Sequence, residues 1–361
     1  MITALALLAL GMVPRGSVFA TWGAESLRAI QRDLYNPDRK VYFESGKTPD
    51  VPLDLRAEAE LILAFSAAAT YEPKFLPDLE AAIASASAYG NANSPTPGFG
   101  NLPGFAGGRS YTDNAKLALA LLEAARVAKS AKASELAEMA LTFALAGVDP
   151  KNGGVADREG NTLPLTRKSA NATSSVALAI LRQADVSTPK DALGLYEWVR
   201  ANLRDPSTNL FSPIPTLAGT DQKTPEAGDA AQMIEVACLL SQSTGDLKYA
   251  EQARRLEVLS LAQWFQQDGE LSTDTLGGSA LVDAWFDRIR LCPRQGEKYG
   301  AMMEAYLALQ RLHDAGRDRD GHYGRKFGIS PTAAEGWRVL DQAAAARGFF
   351  AAAQALRPGK K

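Results

Sequence analysis

An aspartate stands near the predicted start of a helix, in the run Ser110-Tyr111-Thr112-Asp113-Asn114. The carboxyl group of Asp113 could give or take a proton in an acid/base reaction, because burial can tune a carboxyl pKa towards neutral pH. The same run also suits a structural role, with Thr112 as the helix cap and Asp113 in the first turn. The preceding loop, residues 97–108, is rich in Gly and Phe, which suits close approach to a flat ligand.

Two further acids, Glu226 and Asp229, lie three residues apart at the start of another predicted helix. Residues at this spacing share one face of a helix, so both side chains should point the same way. First-turn acids also stabilise a helix without any chemistry. If either acid faces Asp113 across a cavity, the pair would supply the acid and the base that glycoside hydrolysis requires.

Candidate ligand contacts surround these acids in the Gly-rich loops and at predicted helix starts. Aromatic side chains that could stack on sugar faces are Phe99, Phe105, Tyr111, Phe211, Tyr323 and Trp337. Polar contacts could come from Arg167, Asn171 and His322, and the other polar residues expected at helix N-termini are Asp54, Arg56, Lys168, Asp283 and Glu335. The chain has no phosphate-binding loop, dinucleotide fingerprint or GxSxG motif, so we expect no cofactor.

The elements that must position these residues are helices, because apolar residues recur at helical spacing from residue 22 to residue 355. About twelve helices are predicted, so the chain is all-α. Their connections alternate between links of two or three residues and long loops rich in Gly, Pro and Asn, with a step of about 50 to 60 residues.

Repeated helix pairs must pack on their neighbours to bury their apolar surface. Six pairs can close into an (α/α)6 barrel, a ring in which all long loops emerge at one end. Helices that follow a long loop would form the inner wall, with their positive N-termini at the functional face. An open superhelix of helix pairs is the alternative. We predict one such domain over residues 21–361.

The helix layout, the run Tyr111-Thr112-Asp113-Asn114-Ala115 and the Thr244-Gly245-Asp246 hairpin resemble glycoside hydrolase family 76, the endo-α-1,6-mannanases. That resemblance implies two adjacent aspartates after a tyrosine, the first acting as nucleophile and the second as acid/base. Here the first position is Thr112, whose hydroxyl is not a carboxylate nucleophile, and Lys116 stands at a position that is aromatic in the family. The family's retaining mechanism therefore does not transfer intact.

Three functions remain open from the sequence. The first is hydrolysis of an α-linked, mannan-like glycan with inversion, with Asp113 as acid and Glu226 or Asp229 as base. The second is a glycan-binding or assembly protein that has kept the ring and lost turnover. The third is a polysaccharide lyase, with Tyr111 or Tyr323 as base and Arg167 or Lys168 neutralising a uronate.

The charge of the chain and its N-terminal segment limit the classes of partner that it could bind. With 39 Lys and Arg against 41 Asp and Glu, the net charge of −2 lacks the basic excess that nucleic-acid binding needs. The apolar run from Met1 to Gly11 is too short to span a membrane and precedes Ser17-Val18-Phe19-Ala20, which resembles a signal-peptide cleavage site. We therefore predict a signal peptide over residues 1–20 and a secreted or periplasmic monomer; an attached apolar helix is the alternative.

The two cysteines, Cys238 and Cys292, do not form a metal-binding pattern with each other or with histidine. We expect no metal site and two free thiols, although export would allow them to pair.

Overall fold

A computed structural model describes residues 16–39, 41–47, 51–91, 95–104, 108–160, 168–183, 189–214, 224–293 and 301–357. Within these residues the chain forms twelve α-helices: α1 Gly16–Leu34, α2 Leu55–Tyr71, α3 Leu76–Ala86, α4 Tyr111–Ala128, α5 Ala131–Leu145, α6 Ala170–Arg182, α7 Pro189–Asn202, α8 Ala227–Thr244, α9 Leu247–Trp264, α10 Thr275–Leu291, α11 Met302–Ala315 and α12 Val339–Ala355. The predicted all-α class is confirmed.

Short strands and 3-10 turns complete the secondary structure that is described. Strand β1 (Tyr35–Asn36) pairs with β2 (Val41–Tyr42), and β3 (Gly90–Asn91) pairs with β4 (Gly98–Phe99), both antiparallel. The turns Pro73–Phe75 and Ser87–Tyr89 flank α3, so the predicted helix over residues 74–89 is α-helical only in its middle. Pro73 begins the first of these turns, where its missing N–H costs nothing.

The even-numbered helices form a closed ring. In order, α2 packs on α4, α4 on α6, α6 on α8, α8 on α10, α10 on α12, and α12 packs back on α2. The (α/α)6 barrel is therefore confirmed, and the open superhelix is wrong. Small side chains make this close packing possible: the run from Ala343 to Ala346 in α12 is fully buried.

Five of the six helix pairs consist of consecutive helices, an inner one and the outer one that follows it. The sixth pair is different, because α12 packs extensively on α1, at the other end of the described chain. The Cα of Gly16 in α1 lies so near α12 that an added Cβ would sit 3.0 Å from the carbonyl oxygen of Ala353. The first and last helices thus complete the ring together.

Helix α1 starts at Gly16, six residues before its predicted start, and so contains the predicted cleavage site after Ala20. Phe19 and Ala20 are buried, and the Phe19 ring stacks on Tyr306 at 5.6 Å. Residues 1–15 lie outside the described part of the chain, so most of the predicted signal peptide does as well. Within the described residues, no helix combines the length and the apolar character that crossing a membrane would require.

Asn and Asp residues start the long loops that follow the outer helices, and each folds its loop in the same way. The side-chain oxygen of Asn36 accepts the backbone N–H of Asp38, and Asp149 accepts that of Lys151. Asp205 and Asp318 accept the N–H groups two residues later in the same manner. These turns explain why the sequence repeats Asn or Asp at this point.

Four inner helices begin with a side-chain cap at the long-loop end of the barrel. The capping residues of α2, α4, α6 and α10 are Asp54, Ser110, Ser169 and Asp274. Each accepts a hydrogen bond from a first-turn N–H, which stabilises a helix start by about 1 kcal/mol. The predicted cap of α4, Thr112, was wrong: the true cap is Ser110, two residues earlier, which accepts the N–H of Asp113 at 3.1 Å.

Candidate functional site

A cavity of about 1730 Å³ runs along the barrel axis and is lined by all six inner helices. Its lining includes one polar or charged side chain or more from each of them: Arg56 of α2, Lys116 of α4, Asn171 of α6, Gln232 of α8, Asp283 of α10 and Arg347 of α12. The ring therefore brings residues that are far apart in sequence to one space, and Asn171 lies where the sequence predicted.

Asp113 occupies the third position of α4 and borders a smaller recess of about 400 Å³. Thr112, Asp157 and Arg158 also border this recess, while Arg56 borders both the recess and the axial cavity. Burial raises the pKa of Asp113, and the positive charges of Lys116 and Arg56 oppose that rise. A carboxyl group in such a place holds its proton longer than one in water, as a general acid must.

Glu226 and Asp229, predicted to share one helix face, have different surroundings in the structure. Glu226 precedes α8 in an extended conformation, makes no capping hydrogen bond and lines the axial cavity. Asp229 is fully buried, and neither of its carboxyl oxygens has a hydrogen-bond partner among the described residues. Glu226 is the residue immediately before α8, and Asp229 is the third residue of that helix, close enough for the charge of Glu226 to raise its pKa.

The environment of Asp229 keeps it protonated at neutral pH. Burial, followed by the negative charge of Glu226, raises the pKa of Asp229 to about 8, although Lys116 and Arg56 lower it. A general base must be ionised and reachable by water. Of the two predicted bases, Glu226 is reachable by water, whereas Asp229 is neither ionised nor reachable.

Lys116 lines the axial cavity, although it was not among the candidate site residues predicted from the sequence. Burial, followed by the charge of Arg56, lowers the pKa of Lys116 to about 8, while Asp113, Asp229 and Glu60 raise it. Its position, one turn after Asp113 on an inner helix, is the signal that could have identified it.

Deeper in the cavity, arginines are paired with carboxylates. Arg347 contacts Glu60 at 2.6 Å and Asp283 at 2.7 Å, joining α12 to both α2 and α10. Burial raises the pKa of Asp283 to about 6, against the opposing charge of Arg347. Asp283 was expected at a helix N-terminus, but it lies in the middle of α10, which begins at Thr275.

A second arginine, Arg182 of α6, binds acids from two other helices. Its guanidinium lies 2.9 Å from Asp287 of α10 and 3.5 Å from Glu235 of α8. Arg182 is the last residue of α6, whereas Glu235 and Asp287 lie within their helices, where sequence patterns give no sign that a charged residue faces inwards.

The described aromatic residues that were predicted to stack on sugars make contacts with other parts of the protein. Phe99 is fully buried, and its backbone N–H and carbonyl both bond the Asn114 amide at 2.9 Å. The Tyr111 ring stacks on Phe143 of α5 at 4.9 Å, towards the outer layer. The burial of Phe99 excludes it as a stacking platform, because a Gly-rich loop can fold its aromatics inwards as readily as towards a ligand.

Tyr323 and Phe211 are also buried, and the Tyr323 ring packs on Phe349 at 5.7 Å. Neither Tyr111 nor Tyr323 borders the axial cavity or the recess beside Asp113. Phe105 and Arg167 lie outside the described residues. The aromatic side chain that does border the cavity in the described part of the chain is Trp264, at the end of α9.

His322 and Trp337 form a structural cluster instead of a ligand contact. Their rings stack at 4.0 Å, and the two ring nitrogens of His322 lie 3.0 Å from Asp318 and 2.8 Å from Asp33 of α1. His322 thus attaches the loop before α12 to α1. Asp318, Asp320 and His322 also hold possible metal-ligand atoms within 4.8 Å of one another, but the imidazole nitrogens are already engaged by the two aspartates.

Both cysteines are free thiols in the structure, as expected. Cys238 is buried in α8, and the thiol of Cys292 donates to the Cys238 carbonyl oxygen at 3.6 Å.

Comparison with known proteins finds the fold but no sequence family. No protein-family model matches the chain, and no curated protein matches it. Among solved structures, the GH76 α-mannanase of Bacteroides thetaiotaomicron superposes with a TM-score of 0.83 at 23% identity, covering 93% of this chain and 95% of that one. The GH76-like fold predicted from the sequence is therefore confirmed.

Two other solved structures show how widely this fold is used. An α-1,6-mannanase of Salegentibacter sp., inactive through replacement of two adjacent aspartates and bound to α-1,6-mannotriose, has a TM-score of 0.77 at 14% identity, covering 93% and 99% of the two chains. A D-mannose isomerase has a TM-score of 0.72 at 12% identity, covering 94% and 97%. One fold supports different chemistries, so function must be argued from the site.

Proposed function

We propose that this protein hydrolyses an α-linked, mannan-like glycan in the axial cavity by acid/base catalysis. Asp113 is the acid that protonates the leaving glycosidic oxygen. Glu226 is the base that takes a proton from the water attacking the anomeric carbon. The observation that carries the proposal is the carboxyl of Asp113, whose pKa burial raises, at the inner-helix N-terminal end of a recess that shares Arg56 with an axial cavity large enough for an oligosaccharide.

The proposed reaction inverts the anomeric centre. Thr112 borders the recess beside Asp113, and its hydroxyl does not replace the carboxylate nucleophile of a retaining enzyme. Water must then attack directly, from the face opposite the leaving oxygen. Proton NMR during the first minutes of hydrolysis of an α-1,6-mannooligosaccharide should show the β-anomer first. Early accumulation of the α-anomer would overturn the assignment.

Glu226 and Asp229 should differ sharply on substitution. Glu226→Gln should lower kcat by about 10²- to 10⁴-fold, since a general base is lost. Asp229→Asn should leave kcat close to that of the unchanged protein, because the amide resembles the protonated carboxyl that burial already maintains. Initial rates of reducing-sugar release at pH 7 measure both effects. Equal losses in the two variants would contradict this division of roles.

A glycan-binding protein without turnover is the second candidate, and Thr112 is the observation that favours it. Calorimetry with the same oligosaccharides separates the two. If the protein binds these oligosaccharides but releases no reducing sugar from any α-linked mannan, the result supports a glycan-binding protein. Release of reducing sugar supports the hydrolase.

We also propose that the protein acts as a monomer outside the cytoplasm, with residues 1–20 as its signal peptide. N-terminal sequencing of the exported protein shows whether residues 1–20 are removed or stay attached as part of α1. A first residue of Thr21 supports cleavage, and retention of Phe19 supports the attached helix.

A further inference from the structure

Two cations that line the axial cavity form no salt bridge within the described part of the chain. Arg56 in the first turn of α2 and Lys116 in the second turn of α4 belong to adjacent inner helices and border the same space. Neither makes a salt bridge or side-chain hydrogen bond with another described residue, and the Nε of Arg56 is buried without a partner. By contrast, Arg347 and Arg182 in the same cavity each contact two acids.

Three nearby acids act on the pKa of Lys116, and none of them forms an ion pair with either cation among the described residues. Glu60 is engaged by Arg347, Asp229 is fully buried with a raised pKa, and Asp113 is the proposed proton donor. Arg56 and Lys116 therefore present two positive groups without an ion-pair partner to the cavity, where low dielectric strengthens their attraction for an anion.

We propose that Arg56 and Lys116 bind an anionic substituent of the glycan, on the sugar ring seated next to Asp113. A guanidinium can hold a carboxylate or an ester phosphate through two parallel hydrogen bonds, and an ammonium adds a compact point charge. The natural substrate is accordingly an acidic glycan, with either a uronate or a phosphorylated sugar at this position. The inference rests on the proposed function for the placement of that ring.

The test compares three α-linked trisaccharides that differ only at C6 of one sugar: a hydroxymethyl group, a carboxylate or a phosphate ester. Dissociation constants are measured by calorimetry in the Asp113→Asn background, which prevents turnover. An anionic trisaccharide should bind about 10- to 100-fold more tightly than the neutral one, the range expected for hydrogen bonds between charged groups. Whichever anion binds more tightly identifies the source of the charge.

Lys116→Met and Arg56→Gln should each remove most of that preference and leave the affinity for the neutral trisaccharide nearly unchanged. The control is Arg126→Met, which removes a cation from the far end of the same cavity, where Arg126 is already paired with Glu123 at 2.5 Å. Circular dichroism verifies that each variant folds. The preference should persist in the control and weaken as salt is added.

The inference is overturned if the neutral and anionic trisaccharides bind equally well, or if the preference survives in both Lys116→Met and Arg56→Gln. Failure of the proposed hydrolysis is a separate result, because the unchanged protein would then release no sugar from any of the three trisaccharides. If the protein prefers the anionic trisaccharide but releases no sugar, the cation site is supported and the hydrolase is not. If it releases sugar without that preference, the hydrolase is supported and the cation site is not.

Discussion

Replacing Asp113 by Asn should lower the kcat of glycan hydrolysis by about 10²- to 10⁴-fold, because the leaving oxygen would lose its proton donor. The affinity for the glycan should change little, since an amide fills the same volume and the neutral form of Asp113 is the one that meets the substrate. Reducing-sugar release measures the first effect, and calorimetry with an α-1,6-mannooligosaccharide measures the second.

A loss of helix capping cannot imitate this result, because the cap of α4 is Ser110. Removing the first-turn charge should therefore cost at most about 1 kcal/mol of stability. Asp246→Asn is a matched control: Asp246 caps the outer helix α9, at the short-link end of the barrel. That variant should retain full activity. Comparable activity in Asp113→Asn would remove Asp113 from the mechanism.

Replacing Arg347 by Met should lower the free energy of unfolding by about 3–5 kcal/mol, because two largely buried carboxylates would lose their shared partner. The effect should depend on pH. The pKa of Asp283 is raised to about 6 even with Arg347 present. The stability that protonation of Asp283 contributes is therefore complete below the pKa of an aspartate in the unfolded chain, and it is lost as pH rises through about 6. Without Arg347 that loss should continue to higher pH.

Urea unfolding at pH 5 and at pH 8 measures this difference. The penalty of Arg347→Met should be clearly larger at pH 8, where Asp283 must ionise without a cation beside it. Arg254→Met serves as the control, because Arg254 forms an exposed pair with Glu251 at 3.2 Å on α9. Such surface pairs contribute less than about 1 kcal/mol. A penalty for Arg347→Met as small as that of the control would show that the pair does not hold the ring together.

The architecture was accessible from the sequence because helix spacing and loop length are local properties that recur. Asx turns at Asn36 and Asp149 repeat for a physical reason, and they marked the period correctly. The exact first residue of a helix was harder to predict from the sequence. Ser110 and Thr112 are both good capping residues, and only the backbone conformation shows that Ser110 serves.

The candidate site was only partly accessible, because the direction of a side chain depends on distant neighbours. Phe99 lies in the Gly-rich loop and Tyr111 begins α4, yet each packs on protein. Glu226 lines the cavity and Asp229 is fully buried, although only two residues separate them. Lys116 stands between Ala115 and Leu117 in α4, and its access to the cavity follows only from closure of the ring.

The pairing of α1 with α12 has a consequence for how the protein is made. Helix α1 leaves the ribosome first, but its partner is synthesised last, after more than three hundred residues. At about 5–20 residues per second, the apolar face that carries Leu27 and Ile30 must wait tens of seconds for its partner. We therefore expect a holdase or another temporary cover to protect that face until α12 emerges.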